Sequence, residues 1–350
     1  MRNLDELSDL EEIDSLGMFG LAASFPEQLA EASKAASQVD PPNPDGIENI
    51  FVLGMGGSGI VGNIVEALMA ERCGLPIVVV KDYRSPGCLG PHSLVFSVSY
   101  SGNTEETIEA TTHAIESSSK VVVVSSGGYL KELAEENGFA FVPVPAGIQP
   151  RAALASMLVP VFTIMEKMGM WGGFEHELAA AVSHLQARRS SLLPDVPTEI
   201  NPAKKLATEI SRKIPLIYGS GIAAVAAQRF KCQINENAKS PAFWSVYPEL
   251  DHNELAGWGQ HGDITRQLIH LVELRNDFEH PQVRKRFELT REIIRECVAG
   301  VSEVHARGDH PLGQLLDLIY VCDYASLYLA VGEGIDPGPV AAIEELKKRL

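Results

Sequence analysis

The stretch Val95-Phe-Ser-Val-Ser-Tyr-Ser-Gly-Asn-Thr104 decides the fold. Its first half reads as a buried strand ending at Val98, its second half as a hydroxyl-rich turn around Gly102, and residues 105–115 have helical spacing. A strand that turns straight into a helix aims the unpaired N–H groups of the helix start back at the turn. With the hydroxyls of Ser99, Ser101 and Thr104 they form an anion site suited to a small phosphoester. The loop has no lysine, so it is not the nucleoside-triphosphate loop G-x-x-x-x-G-K-[ST]. Taken alone, a S-x-x-T run is more often a plain helix cap, and the flanking sequence has to decide.

Upstream, a strand over 49–53 runs into Gly54-Met-Gly56-Gly57-Ser58-Gly59, followed by a helix over about 60–71 and a strand over 77–80. The turn satisfies G-x-G-x-x-G, and Asp82 stands beyond the second strand, so a dinucleotide site is one reading. Two successive hydroxyl-bearing loops fit one compact sugar phosphate better. In that reading the Ser99–Thr104 turn wraps the phosphate while the backbone at Gly56, Gly57 and Ser58 approaches the carbon skeleton.

Downstream, a strand over 120–124, a helix over 129–137 and a strand over 140–143 continue the alternation. This predicts a parallel sheet covered on both faces, with ligands at the carboxyl ends of its strands. A helix over 152–167 and a punctuated helical region follow; then strand 215–219, Ser220-Gly221 and helix 223–237 repeat the opening pattern. Further strands are expected at 242–246, 267–273 and 302–305, a long helix at 312–332, and a closing helix at 340–350 entered through Asp336-Pro-Gly-Pro339. The fold class is therefore α/β, with two subdomains that each hold a parallel sheet flanked by helices. The expected division is a helical arm at 1–44, where Leu4, Leu7, Leu10 and Ile13 have helical spacing, a first domain at 45–168, a helical linker at 169–200 and a second domain at 201–350. Leu312, Leu315, Leu316, Ile319 and Tyr320 fit either internal packing or a dimer seam, and internal packing is the simpler reading.

Composition sets bounds. With 350 residues, 45% of them hydrophobic, the chain can build two cores. Its 29 Lys and Arg against 46 Asp and Glu give a net charge of −17, which argues against a nucleic-acid partner; the longest basic cluster is Lys347-Lys348-Arg349. Cys73, Cys88, Cys232, Cys297 and Cys322 show no C-x-x-C spacing, and the histidines form no H-x-H or H-x-x-x-H pair, so no metal is expected. The acidic start Met1-Arg-Asn-Leu-Asp-Glu6 does not read as a signal peptide, and no apolar run reads as a membrane span; a cytoplasmic chain with no membrane partner is expected.

The turns Gly54–Gly59 and Ser99–Thr104 together resemble the sugar isomerase (SIS) domain. Gln149-Pro-Arg151, Asn235-Glu-Asn-Ala-Lys239, Asp251-His-Asn-Glu254 and Ile343-Glu-Glu-Leu-Lys347-Lys348 extend the resemblance to the bifunctional phosphoglucose/phosphomannose isomerases, over the chain from about residue 45 onward. The resemblance implies two SIS subdomains, a hexose 6-phosphate substrate, no cofactor, and aldose–ketose isomerisation through a cis-enediol(ate). It assigns Glu236 as the base that carries a proton between C1 and C2. It assigns His252 to the ring oxygen, donated across a homodimer, and Arg151 to the enediolate charge. Lys347 is its candidate for ring opening, with Lys348 as an alternative. Phe243, Trp244, Tyr247 and Trp258 are candidates for the walls of a sugar site, although aromatic core packing is the commoner role. One departure stands out: some relatives have a threonine shortly before the closing lysine, and no threonine lies between Gly332 and the end of this chain. That leaves the glucose and mannose epimers unranked. Competing readings are a sugar-phosphate sensor without chemistry, a nicotinamide enzyme using the glycine turn, and an amino-sugar isomerase or synthase, for which Arg2 replaces the expected cysteine after Met1.

Overall fold

Near-continuous apolar runs such as Ile50-Phe-Val-Leu53 and Val121-Val-Val-Val124 suit strands buried on both faces. A computed structural model describes residues 1–349 of the chain; Leu350, the last residue of the expected closing helix, lies outside the described residues. The strands are β1 (Asn49–Leu53), β2 (Ile77–Val80), β3 (Ser93–Val98), β4 (Lys120–Ser125), β5 (Ala140–Pro143), β6 (Ile214–Gly219), β7 (Phe243–Val246), β8 (Ile269–Arg275) and β9 (Gly300–His305). They form two parallel sheets, one ordered β2-β1-β3-β4-β5 and the other β7-β6-β8-β9. The second order is the first four strands of the first repeated, so the echo of strand, glycine turn and helix in the sequence is an echo of topology.

The chain divides into two compact units, Phe25–Val182 and the combination of Met1–Ser24 with the chain from Ser183 onward. In the first, Phe51, Leu53, Val95, Val121 and Val123 share a core with Ala110, Ala114, Leu130 and Leu133 from the helices Glu105–Glu116 and Gly128–Asn137. The alternate strand residues face the other side. There Gly62 of the helix Gly56–Met69 lies so close to the sheet that a Cβ would meet Val79 Cγ1 at 2.6 Å. That helix begins inside the glycine turn, four residues earlier than its apolar spacing suggests, because glycines tolerate the tight strand-to-helix bend.

In the second unit the helix Pro311–Gly332 is buried along almost its whole length and packs against Ile222–Asn237 and Pro202–Ile210. By length and composition alone it could cross a membrane, which corrects the expectation that no apolar run is long enough; here it is the central core helix of its unit. Leu312, Leu315, Leu316, Ile319 and Tyr320 are all buried in this packing. On the other face of the sheet Tyr218, Tyr247, Leu250, Leu271 and Phe287 form a second core.

Residues 1–24 lie in the second unit and residues 25–44 in the first. The helical spacing from Leu4 to Ile13 yields only the short helix Leu10–Ile13. Tertiary contacts win at the very start: Arg2 N–H donates to Gly332 O at 2.8 Å, and Leu4 is buried. Phe19, from the helix Met18–Ala23, packs its ring against that of Tyr328 in a tilted contact with centroids 5.0 Å apart. The firmest tie is electrostatic. Lys204 is fully buried, and its ammonium donates to Asp5 Oδ1 at 3.0 Å and to Pro194 O at 2.8 Å.

The hydrogen bond from Lys204 holds the Asp5 carboxyl below its ordinary value of 3.8. A depressed carboxyl stabilises the fold above its unfolded pKa and ceases to do so as pH falls through the folded one. Asp5→Ala is expected to lose about 1–3 kcal/mol, because it leaves a buried ammonium short of its counter-charge. Lys204→Met removes the buried charge itself and leaves only Asp5, which is exposed to water, so it should lose less. Urea midpoints at pH 7 and pH 3 check this: the Asp5→Ala deficit should shrink at the lower pH, and a deficit independent of pH would rule out the ion pair as its source.

Candidate active site

In a sheet ordered β2-β1-β3-β4-β5 the connections leave in opposite directions after β1 and after β3, which opens a crevice at the carboxyl ends of those two strands. Both motif turns sit there. Gly54–Gly59 joins β1 to the helix Gly56–Met69, and Ser99–Thr104 joins β3 to the helix Glu105–Glu116. Neither N-cap residue, Met55 or Thr104, closes its helix with a side-chain hydrogen bond. Two helix starts thus converge on one crevice, a favourable place for an anion.

The turn after β3 is shaped from inside. Ser99 is fully buried; its Oγ accepts the Gly102 N–H at 3.2 Å and lies 2.9 Å from Thr104 Oγ1. Ser101 is exposed and accepts the Asn103 N–H at 3.2 Å, while Thr104 is half-buried. Gly102 has φ +70°, and a Cβ there would lie 1.8 Å from Gly127 O. Gly128, at φ +67°, approaches Ser101 O in the same way, at 2.5 Å. A third loop, Ser125-Ser-Gly-Gly128 after β4, therefore clamps the hydroxyl turn: Ser126 donates to Tyr100 O through its N–H (2.9 Å) and its Oγ (2.6 Å). Sequence reasoning missed this loop. Its signal was the pairing of two serines with two glycines at a strand end, the composition already noted in the other two turns.

Ser58 is buried and serves as a tie. Its Oγ accepts the Tyr100 N–H at 3.1 Å and donates to Met157 Sδ at 3.2 Å, joining the glycine turn to the hydroxyl turn. Gly56 is exposed with φ +52° and open space at its Cβ position. Gly57 is closed in, since a Cβ would meet Arg151 N and Cα and Pro150 C at 3.3 Å. This close approach brings Arg151 to the glycine turn. Arg151 is 2% exposed, on the 3-10 turn Pro150–Ala152, and its Nη1 donates to Gln149 Oε1 at 3.3 Å. The first unit thus gathers Gly56, Gly57, Ser58, Ser99, Ser101, Thr104 and Arg151 at one sheet edge.

The equivalent edge of the second sheet, at the ends of β6 and β8, is chemically different. Asn276 Nδ2 donates to Ser220 O at 3.2 Å, and Arg275 is paired with the buried Glu279 through Nε (2.9 Å) and Nη2 (2.8 Å).

The second unit carries the remaining candidates. Glu236 is half-buried in the last turn of the helix Ile222–Asn237, and its neighbours are fixed: Asn235 Nδ2 donates to Ser240 O and Asn237 Nδ2 to Ser326 Oγ, each at 2.8 Å. Lys239 curls back with φ +54° and donates to the carbonyls of Glu236 (2.7 Å) and Asp336 (3.0 Å), closing the helix end and tying down the loop before Pro337. In Asp251-His-Asn-Glu254 three members are anchored. Arg286 and Thr290 donate to Asp251 at 2.7 and 2.8 Å, Asn253 caps the next turn, and Tyr218 donates to Glu254. Burial first, then the Glu254 carboxylate, push the Tyr218 phenol far up, so it stays a donor. His252 is exposed, and its side chain makes no hydrogen bond among the described residues. Lys347 and Lys348 are both exposed on the helix Ala341–Arg349. Of the expected sugar-wall aromatics, Tyr247 belongs to the core, 4.1 Å from the Phe287 ring, and Trp258 packs against the same cluster; Phe243 and Trp244 are exposed on the edge strand β7. Among the described residues no group of three or more His, Cys, Asp or Glu is arranged to hold a metal ion.

Residues 199–350 match the family described as the bacterial phospho-glucose isomerase C-terminal SIS domain. The chain is 36% identical to the bifunctional phosphoglucose/phosphomannose isomerase of Caldicellulosiruptor bescii over 95% of this chain and 98% of that one. It is 34% identical to the protein of the same name from Aquifex aeolicus over 87% and 90% of the two chains. A D-glucosamine-6-phosphate 4-epimerase of Sulfolobus acidocaldarius is 35% identical over 65% of this chain and 70% of its own. Among solved structures, a glucose-6-phosphate isomerase like protein from Thermus thermophilus superposes with a TM-score of 0.66 at 21% identity, over 99% of both chains, which speaks to the fold.

The 1.8 Å approach makes Gly102→Ala a severe change, since its Cβ would strike a backbone carbonyl as well as requiring positive φ. Inorganic phosphate binding, measured by calorimetry, should be lost in Gly102→Ala. Gly138→Ala has a similar φ of +66° but nothing within 4 Å of the added Cβ, and should keep it. Equal retention in both would contradict the clamp.

Proposed function

The chain belongs to the bifunctional phosphoglucose/phosphomannose isomerase family, and on that footing we propose that it interconverts fructose 6-phosphate with glucose 6-phosphate, mannose 6-phosphate or both. As a family member it is a sugar-phosphate isomerase; the substrates, the residue roles and a mechanism without a metal are the proposal. The observation that carries it is the convergence at one sheet edge of two uncapped helix starts, a clamped hydroxyl turn and a buried arginine.

In this mechanism the phosphate rests on Ser101, Thr104 and the two helix starts, with Ser58 and Ser99 holding the shape of the site from beneath. His252 and Lys347 assist ring opening by moving a proton to and from the ring oxygen. With open-chain fructose 6-phosphate, the Glu236 carboxylate takes a proton from C1. The released electron pair forms C1=C2, and the C2 carbonyl oxygen becomes the enediolate oxygen, whose charge Arg151 meets. A proton passes from O1 to O2, and the protonated Glu236 returns its proton to C2, leaving an aldehyde at C1. The face of C2 that receives the proton sets the glucose or the mannose configuration. No step draws on an external oxidant or a cofactor.

A homodimer with His252 acting across subunits is part of the proposal, and one mixing experiment tests it together with the base. Glu236→Gln and His252→Ala should each lose turnover by about a hundredfold or more, with KM moved less, in enzyme whose wild type is indifferent to EDTA. Equal amounts unfolded and refolded together should recover about a quarter of wild-type turnover, because half of the dimers are mixed and each mixed dimer holds one complete site. Two dead variants with no recovery would remove the shared site. A fully active Glu236→Gln would remove the base.

A further inference from the structure

Tyr100 lies inside the hydroxyl turn, between the buried Ser99 and the proposed phosphate ligand Ser101, yet its own hydrogen bonds all leave the turn. Its N–H donates to Ser58 Oγ at 3.1 Å, reaching the glycine turn. Its carbonyl accepts from Ser126 N–H and Oγ at 2.9 and 2.6 Å, reaching the loop after β4. Its phenol oxygen accepts the Ile148 N–H at 2.9 Å, reaching the segment that leads to Arg151. One residue thus connects three other loops at the carboxyl edge of the sheet, and at 8% exposure it does so out of reach of competing water.

The third connection sets the position of a charge. The chain leaves β5 through Val144, whose N–H donates to Ser125 O at 2.9 Å, then crosses the exposed residues Pro145, Ala146 and Gly147, the last with φ +97°. The phenol catches it at Ile148. Arg151 follows within one 3-10 turn, where Ala152 N–H donates to Gln149 O at 2.8 Å, and Gly57 lies so close to the arginine backbone that a Cβ there would meet Arg151 N and Cα at 3.3 Å. The backbone of Arg151 is therefore held from one side by the glycine turn and from the other, through three residues, by the Tyr100 phenol. An arginine meant to meet a developing oxyanion needs this two-sided support, because misplacement by a fraction of its reach removes the benefit.

We infer that Tyr100 is a positioning residue: its phenol oxygen fixes where Arg151 stands relative to the phosphate turn, so that phosphate binding and charge stabilisation share one rigid reference. The inference rests on the isomerase reading above, in which Arg151 meets the enediolate. Tyr100→Phe isolates the effect. It keeps the ring and both backbone connections, so the turn and its anion site stay intact, and it removes only the acceptor for Ile148.

The test compares wild type, Tyr100→Phe and Arg151→Ala in three measurements. In Tyr100→Phe, turnover of fructose 6-phosphate should fall by about tenfold, and the Kd for inorganic phosphate should stay within about twofold of wild type. Hydrogen exchange at the Ile148 amide should speed up by about tenfold or more, with the strands β1 and β3 unchanged. Wild-type turnover in Tyr100→Phe, or a loss of turnover matched by an equal loss of phosphate affinity, overturns the inference. If Arg151→Ala turns over like wild type, the isomerase reading of Arg151 fails instead, and unchanged exchange at Ile148 would still reject the tether independently. Should Tyr100→Phe not fold, Gly147→Ala takes its place. Its Cβ would meet nothing within 4 Å, but its φ of +97° strains the same segment, and the same split between turnover and phosphate binding is expected.

Discussion

The candidate site depends on one steric constraint, the approach of Gly102 to the carbonyl of Gly127 with no room for a side chain between them. Two loops from neighbouring strands can come this close only because each supplies a glycine in the left-handed region or beyond it, Gly102 and Gly128 at φ +70° and +67° and Gly127 at φ +146°. The close approach lets Ser126 bond the backbone of Tyr100, which presents its own N–H to Ser58 and its phenol to Ile148. A phosphate site made without a lysine must be rigid, since it relies on fixed dipoles and hydroxyls whose contribution falls steeply with distance and angle. The glycines supply that rigidity indirectly, by permitting the packing that holds the hydroxyls still.

The protein's overall field works against an anionic ligand. With a net charge of −17 the site has to be favourable locally, and Glu105 and Glu106 stand in the first turn of the helix that opens from the hydroxyl turn. Burial resolves the conflict. Arg151 is almost wholly removed from solvent, where a cation is less screened, while Glu105 is exposed and Glu106 half-buried. The second sheet shows the alternative outcome of the same topology. Its corresponding edge carries Asn276 bonded to Ser220 and the Arg275–Glu279 pair, so the two copies of the fold place different chemistry at the same strand ends.

Much of this was legible in the residues. Period-two and continuous apolar runs placed the strands to within a residue or two, and the repeated strand–turn–helix pattern announced two sheets. The hydroxyl turn and the glycine turn were found because their composition is chemically unusual. What the sequence could not reveal was the third dimension of the turns: Ser58 and Ser99 look like ligands as strongly as Ser101 does, and only the structure shows that the first two are buried and hydrogen-bonded within the protein while Ser101 is exposed. The Ser125–Gly128 loop escaped notice because its role lies in contact with residues far away in sequence. Leu4 to Ile13 misled for the opposite reason, since their spacing is helical but the anchoring of Arg2 and Leu4 on the long core helix outweighs it. The apolar helix Pro311–Gly332 carries a similar lesson, as composition alone does not separate a core helix from a membrane span.

The central claim is that a carboxylate moves a proton between C1 and C2 of a hexose 6-phosphate. Proton NMR of fructose 6-phosphate incubated with the protein in D2O and EDTA reads this directly. The account predicts glucose 6-phosphate, mannose 6-phosphate or both, with deuterium entering C2 in those turnovers in which the protonated Glu236 exchanges with solvent before it returns its proton, and with neither product nor exchange in Glu236→Gln. Binding of the sugar phosphate without product or exchange in the wild type would contradict it, as would product that has gained no solvent deuterium at C2 after many turnovers at equilibrium.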